Sequence, residues 1–121
     1  MVIGIDGGGT HVRVVICDAA LQVVGEATGD SVNPSSVGRD TAASHIQSTI
    51  RAALANAGLD AADITAAAAG IAGAATDALK PWVIETVRAV LPDAQVIHSA
   101  DYEIALAGAV GELHGVAVIA G

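Results

Sequence analysis

Short apolar runs separated by polar turns open the chain and predict three β-strands over residues 2–6, 11–17 and 21–27, because each run is rich in aliphatic residues and is bounded by turn residues. Residues 18–20 join the second and third strands over a distance typical of a hairpin, so we expect an antiparallel meander. Residues 29–38 carry glycine, serine, asparagine, aspartate or proline at nearly every position and predict a loop.

The spacing of apolar residues then becomes helical. Apolar side chains recur about once per helical turn over residues 40–57, and Gly58 and Leu59 follow in the positions of a Schellman C-cap. Residues 64–71 predict a buried strand. Their alanines suit a helix equally well, but the glycines at and just after the end of this run, including Gly70, favour a strand that ends in a loop.

Two further helices, over about residues 78–91 and 101–111, and two short strands, over 95–98 and 116–120, complete the pattern. Asp77 is the expected N-cap of the first of these helices. We therefore expect an α/β fold with a five-stranded mixed sheet, in which three antiparallel strands come first and helices cover the faces. This order resembles the ribonuclease-H-like half-domain of actin-like ATPases.

The composition requires an aliphatic core, since the 121 residues include no phenylalanine, one tryptophan and one tyrosine. Hydrophobic residues make up 53% of the chain and charged residues 15%, so we expect some apolar surface to face a partner or a further domain. The net charge of −8, without a cluster of lysine or arginine, makes nucleic acid and anionic membranes poor partners.

A single cysteine, Cys17, excludes an internal disulfide within these residues and suits a reducing compartment. The chain starts with a strand instead of a basic leader, and no apolar run approaches the roughly 20 residues of a membrane span. We therefore expect a cytoplasmic protein. The four histidines are scattered without metal-ligand spacing, so a zinc site is not expected.

The turn between the first two strands carries the clearest candidate chemistry. Asp6 ends the first strand, and Gly7, Gly8, Gly9 and Thr10 follow. Three glycines allow backbone N–H groups to converge on an anion, and phosphate is the expected one. A carboxylate beside a phosphate is favourable mainly when a divalent cation lies between them. The turn therefore predicts a nucleotide–metal site with Asp6 near Mg²⁺; the alternative is a turn aspartate that bonds its own loop amides.

The run from Gly4 to Thr10 resembles the first phosphate motif of the actin, sugar-kinase and heat-shock-chaperone ATPase superfamily. With Arg13 following, it is most similar to the BadF/BadG/BcrA/BcrD ATPase family, which includes N-acetylglucosamine and glucosamine kinases. The resemblance implies that residues 7–10 bind the phosphates of ATP in the presence of Mg²⁺. The Thr10 hydroxyl is expected to bond a phosphate oxygen or the loop backbone. It also implies a phosphate or substrate contact for Arg13, which is equally well explained as a surface charge at a strand edge.

Three later segments resemble the same family. Asn33 and Ser36 lie in a loop similar to one that contacts the sugar in amino-sugar kinases; an Asx-Pro turn that caps the next helix is the alternative. Gly70 belongs to a segment similar to a glycine-rich wall of the family's cleft, or to an ordinary turn. Asp101 resembles the aspartate that takes the proton from the sugar hydroxyl; it is also a natural helix N-cap, and both roles can hold together.

Members of this family are longer than this chain, and their second domain opens with a strand and a second phosphate loop. Residues 115–121 match that strand, and Gly121 matches the first glycine of the loop. We expect residues 1–114 to form an N-terminal actin-like ATPase domain and 115–121 to begin a second domain that is otherwise missing. Such a fragment is expected to have no appreciable turnover, and its terminal strand, residues 116–120, could pair with another copy in a homodimer.

The resemblance thus implies the N-terminal domain of an ATP-dependent kinase that phosphorylates an amino sugar. Two alternatives remain open from the sequence. The first is an ATPase that activates an acyl-CoA dehydratase or reductase, whose iron–sulfur ligands would lie beyond Gly121. The second is a non-catalytic sugar-binding or regulatory module with the same fold.

Overall fold

The structure, a computed structural model, describes residues 1–8, 10–20, 22–71 and 78–98. Its strands, numbered in chain order, are β1 Val2–Gly7, β2 His11–Cys17, β3 Val23–Asp30, β4 Ala66–Ile71 and β5 Gln95–His98. Its helices are α1 Pro34–Val37, α2 Arg39–Ala57 and α3 Lys80–Arg88, with a 3₁₀ turn at Ala61–Asp63.

The strands form one five-stranded sheet in the order β3-β2-β1-β4-β5. The β1–β2 and β2–β3 pairs are antiparallel, whereas β4 pairs in parallel with both β1 and β5. A helix lies in each of the two crossovers that lead to the parallel strands, as is usual for such connections. The expected mixed sheet, with an antiparallel meander before the α/β crossovers, is confirmed.

Helices α2 and α3 cover one face of this sheet, α2 over β3 and β2, and α3 over β5 and β4. Ile3 and Ile5 of β1 point into this core and are fully buried. A second, smaller apolar cluster around Val15 and Ala68 lies on the opposite face. All six residues of β4 are buried, as is typical of a central parallel strand.

Glycines in β3 allow α2 to approach the sheet closely. A Cβ atom on Gly25 would lie 2.6 Å from Ala57 Cβ, and one on Gly29 would overlap Thr49 Oγ1. At the end of α2, Gly58 adopts the left-handed conformation with φ 68°, and the Leu59 N–H donates to the Leu54 carbonyl over 3.0 Å. The predicted Schellman cap is confirmed.

Several predicted boundaries were wrong. Strand β3 continues to Asp30 instead of ending at residue 27, because β2 offers hydrogen-bonding partners along this whole stretch. The predicted loop therefore begins later, and it contains the single turn of α1. Helix α3 begins at Lys80 and ends at Arg88, so that Pro81 falls in the first turn, where its missing N–H removes no helical hydrogen bond.

Several predicted features lie outside the described residues: the expected cap Asp77, the helix over 101–111 and the strand over 116–120 with its proposed homodimer contact. Gly9, Asp101 and Gly121 lie outside them as well. None of the helices in the described part combines the length and the apolar character that crossing a membrane requires.

Candidate functional site

The carboxyl end of β1 brings three of the predicted site residues into one row. Arg13 lies directly opposite Asp6 in the β1–β2 pair, and Gly70 lies beside Asp6 in the β1–β4 pair. Because directly opposed residues share a face of a sheet, Asp6 and Arg13 project to the same side. That side is opposite to the one covered by α2 and α3, and Asp6 is exposed there. Gly70 adds no side chain to this part of the face.

The turn after β1 is closed by its own hydrogen bonds. The Gly8 N–H donates to the His11 carbonyl over 2.9 Å. Thr10 Oγ1 lies 2.9 Å from His11 Nδ1, so the hydroxyl that was expected to face a phosphate has a neighbour on the adjacent ring. Thr10 and His11 are both exposed. The bond between Gly8 and His11 connects the described residues on either side of Gly9.

Gly7 and Gly8 are glycines for different reasons. A Cβ atom on Gly7 would lie 2.5 Å from Val32 Cγ2 and 2.9 Å from Ile71 Cδ1, so packing alone requires a glycine there. Among the described residues, a Cβ on Gly8 would meet only the His11 carbonyl oxygen, at an ordinary 3.5 Å, and Gly8 does not have a positive φ. The described residues therefore leave the space beside Gly8 open to an approaching group.

Arg13 forms an ion pair with Glu26 of β3, with Nη2 and Oε2 3.0 Å apart and the side chains 49% and 55% exposed. A pair so accessible to water contributes about 0–1 kcal/mol to stability. A phosphate could therefore replace Glu26 as the partner of Arg13 at little cost. The site prediction for Arg13 and its alternative as a surface charge are both compatible with this geometry.

The loop with Asn33 and Ser36 lies next to the same strand end. Asn33 Oδ1 accepts a hydrogen bond of 2.9 Å from the Ser35 N–H and caps α1, as the Asx-Pro alternative expected. Ser36 is exposed on α1. The preceding residue, Val32, is fully buried and packs against Gly7. This contact brings the Asn33 loop to the end of β1, beside the predicted phosphate turn.

Sequence reasoning missed the residue that ties this loop to α2. His45 Nδ1 lies 2.6 Å from the Ser31 carbonyl oxygen. The available signal was its position: His45 follows Ala42 by three residues and precedes Thr49 by four, and both of these are buried on the sheet side of α2. A partly buried polar side chain beside that stripe is expected to form a hydrogen bond with a neighbouring segment.

His98, the last residue of β5, lies beside Ala69 of β4. Its Nε2 atom is buried and has no hydrogen-bond partner among the described residues. Burial lowers the pKa of the His98 ring, and the nearby Lys80 ammonium lowers it further. The ring is therefore neutral at physiological pH.

The described residues contain no group of three or more histidine, cysteine, aspartate or glutamate side chains that would hold a metal ion by themselves. A single exposed carboxylate such as Asp6 instead suits Mg²⁺, which keeps several waters and is usually held by one or two carboxylates together with substrate phosphates. The donor set is thus compatible with a metal that arrives with a nucleotide.

Comparison with known proteins finds a protein family and a solved structure that the chain resembles. The model of a protein family described as the BadF/BadG/BcrA/BcrD ATPase family matches residues 3–121. Among solved structures, the chain resembles an inferred N-acetylglucosamine kinase from Chromobacterium violaceum, with 28% identity and a TM-score of 0.62. The match covers 91% of this chain and 38% of that protein, and the shared fold is that of an actin-like sugar kinase. No curated protein matches the chain.

Proposed function

Because the chain belongs to the BadF/BadG/BcrA/BcrD ATPase family, we propose that it supplies one half of the active site of an ATP-dependent amino-sugar kinase, with N-acetylglucosamine or glucosamine as the substrate. The observation that carries this proposal is the contact between Val32 and Gly7, because it sets a sugar-type loop against a phosphate-type turn. A kinase needs its two substrates to meet at such a point.

Each predicted residue has one role in this proposal. Asp6 orients Mg²⁺, and the turn of residues 7–10, including Gly9, binds phosphate oxygens together with Arg13. Asn33 and Ser36 bind sugar hydroxyls, and Gly70 leaves room for the substrates beside Asp6. Asp101 accepts the proton of the attacking hydroxyl. Bound ATP would supply the phosphoryl group, and its Mg²⁺ would neutralise part of the negative charge of that group.

We further propose that a second domain completes the site. The chain spans 38% of the length of the similar kinase. In the proposed arrangement, residues 1–114 form the first domain, 115–121 begin the second, and Gly121 starts a second phosphate loop. Phosphoryl transfer draws most of its rate from positioning and charge stabilisation, which one half-site provides poorly.

The test is an assay of the complete polypeptide that contains these residues, with ADP and sugar phosphate measured separately. Asp6→Asn is expected to lower kcat/KM at least about 100-fold, since it removes the charge that orients the metal. Asp18→Asn is the matched control, because Asp18 is also in a hairpin turn but its Oδ1 only accepts hydrogen bonds from the Ala20 and Gln22 amides. An asparagine there keeps that acceptor.

The products also separate the alternatives. Sugar phosphate formed in step with ADP supports the kinase. ADP formed at a rate independent of added sugar would identify an ATPase of the activator type instead, and sugar binding without any product would identify a non-catalytic module.

A further inference from the structure

We propose that His45 is a positioning residue for sugar recognition, which acts by fixing the loop that presents Asn33. This inference rests on the proposed kinase function, since it concerns the substrate loop of that site. His45 itself lies on α2, beneath the loop, and reaches it with a hydrogen bond of 2.6 Å to the Ser31 carbonyl oxygen.

The chemistry of the bond determines where the ring proton lies. A carbonyl oxygen only accepts hydrogen bonds, so His45 Nδ1 must carry the proton and donate it. Nδ1 is a donor in the neutral tautomer that this bond selects and also in the doubly protonated ring. The anchor therefore holds in either charge state of the ring.

A second anchor lies one residue further along the loop. Val32 is fully buried and packs against Gly7 at the end of β1. Asn33 follows directly, with its N–H 3.4 Å from Ser31 Oγ and its Oδ1 bonded to the Ser35 N–H. The backbone that carries the Asn33 carboxamide is thus held to α2 through Ser31 and to β1 through Val32.

The two anchors make different contributions. The Val32 contact is apolar and buried, so it stabilises the fold as well as the loop. The His45 bond is directional and partly buried, and it fixes the carbonyl two residues before Asn33. Loss of the His45 bond leaves the Val32 anchor in place, so the protein is expected to fold with a less well-defined Asn33 position.

Gln47 provides a matched control on the same helix. Its Nε2 atom donates to the Thr86 carbonyl over 3.1 Å, so it too is a partly buried side chain of α2 that binds a backbone carbonyl. Its partner belongs to α3 and not to the Asn33 loop. His45→Leu and Gln47→Leu each remove one such bond and leave an apolar side chain, but only the first frees the loop.

The experiment uses the complete polypeptide and steady-state kinetics with N-acetylglucosamine and glucosamine. His45→Leu is expected to raise the sugar KM about tenfold, the effect of one hydrogen bond, with a smaller change in kcat and an unchanged KM for ATP. His45→Asn is expected to restore the sugar KM, because the asparagine Nδ2 donates from nearly the position of the histidine Nδ1. Gln47→Leu is expected to leave the sugar KM unchanged.

Hydrogen exchange separates this proposal from the kinase assignment. The Ser35 amide, held by Asn33 Oδ1, is expected to exchange faster in His45→Leu than in the wild type or Gln47→Leu. If the wild type phosphorylates no amino sugar, the kinase assignment fails, while faster exchange confined to His45→Leu still supports the loop anchor. Equal exchange in both leucine variants, or equal changes in sugar KM, would overturn the role of His45.

Discussion

Alanine substitutions at Gly7 and Gly8 are expected to have different effects, the first on core packing and the second on ligand binding. Alanine at Gly7 would force Val32 and Ile71 to move, because its Cβ would come within 3 Å of both side chains. We expect Gly7→Ala to lower the free energy of unfolding by about 1–3 kcal/mol, the range for an overpacked core. We expect Gly8→Ala to change it by less than about 1 kcal/mol but to weaken MgATP binding, since the methyl group enters the open space beside the turn.

Urea denaturation measures the first effect, and calorimetric titration with MgATP measures the second. A Gly8→Ala protein that binds MgATP as tightly as the wild type would contradict a ligand site beside Gly8.

The partly buried ring of His98 is expected to make the stability of the protein depend on pH. Variants at His98 and Lys80 test this expectation. The pKa of the folded His98 ring lies below the ordinary value of 6.5, first because of burial and second because of Lys80. As the pH falls through 6.5, the unfolded chain therefore binds a proton that the folded chain resists, and stability is lost. We expect Tm to fall more between pH 7.5 and 5.5 in the wild type than in His98→Gln.

Lys80→Gln provides an intermediate case, because it removes the second cause of the lowered pKa and leaves the first. Its loss of Tm over the same pH range is expected to lie between those of the wild type and His98→Gln. A His98→Gln protein that loses as much Tm as the wild type would show that another group controls this pH response.

At the scale of the elements, the packing of α2 against β3 can be tested directly by mutation. A Cβ on Gly29 would overlap Thr49 Oγ1, whereas Thr49 Cβ would stay 3.5 Å away. We expect Gly29→Ala to destabilise the protein by about 1–3 kcal/mol, and to cost less in a Thr49→Ala background, where the overlapping hydroxyl is gone. A double-mutant cycle from denaturant unfolding measures this coupling; additive effects would contradict the close approach.

The sequence predicted the elements whose patterns are local. The short apolar run over residues 2–6, bounded by turn residues, marked β1, and Gly58 with Leu59 marked the end of α2. It failed where a distant partner decides the structure. The end of β3 at Asp30 depends on pairing with β2, and turn-forming residues there predicted a loop instead. Strand pairing outweighed local turn preference in this segment.

The same distinction applies to the candidate site. Asp6, Arg13 and Gly70 were identified from local motifs, and the strand register then placed them in one row. His45 and Val32 were not identified, because their importance comes from contacts with Ser31 and Gly7 that no local pattern announces. Candidate ligand-binding residues can be found from a short sequence motif. Residues that position them can be found only from contacts between segments that are distant in the sequence.

At the scale of the whole molecule, we propose that both substrates bind at the carboxyl end of β1. The phosphate turn and the sugar loop meet where Val32 packs against Gly7, and Asp6 is exposed beside them. In the proposed two-domain arrangement, the second domain supplies further groups that neutralise the transferring phosphoryl group. The 121-residue chain alone is therefore expected to bind MgATP weakly and to form sugar phosphate at least about 1,000-fold more slowly than the complete polypeptide. A coupled ADP assay on both proteins at equal concentration measures this ratio. Comparable rates would contradict the two-domain site and would mean that residues of this chain alone complete the catalytic arrangement.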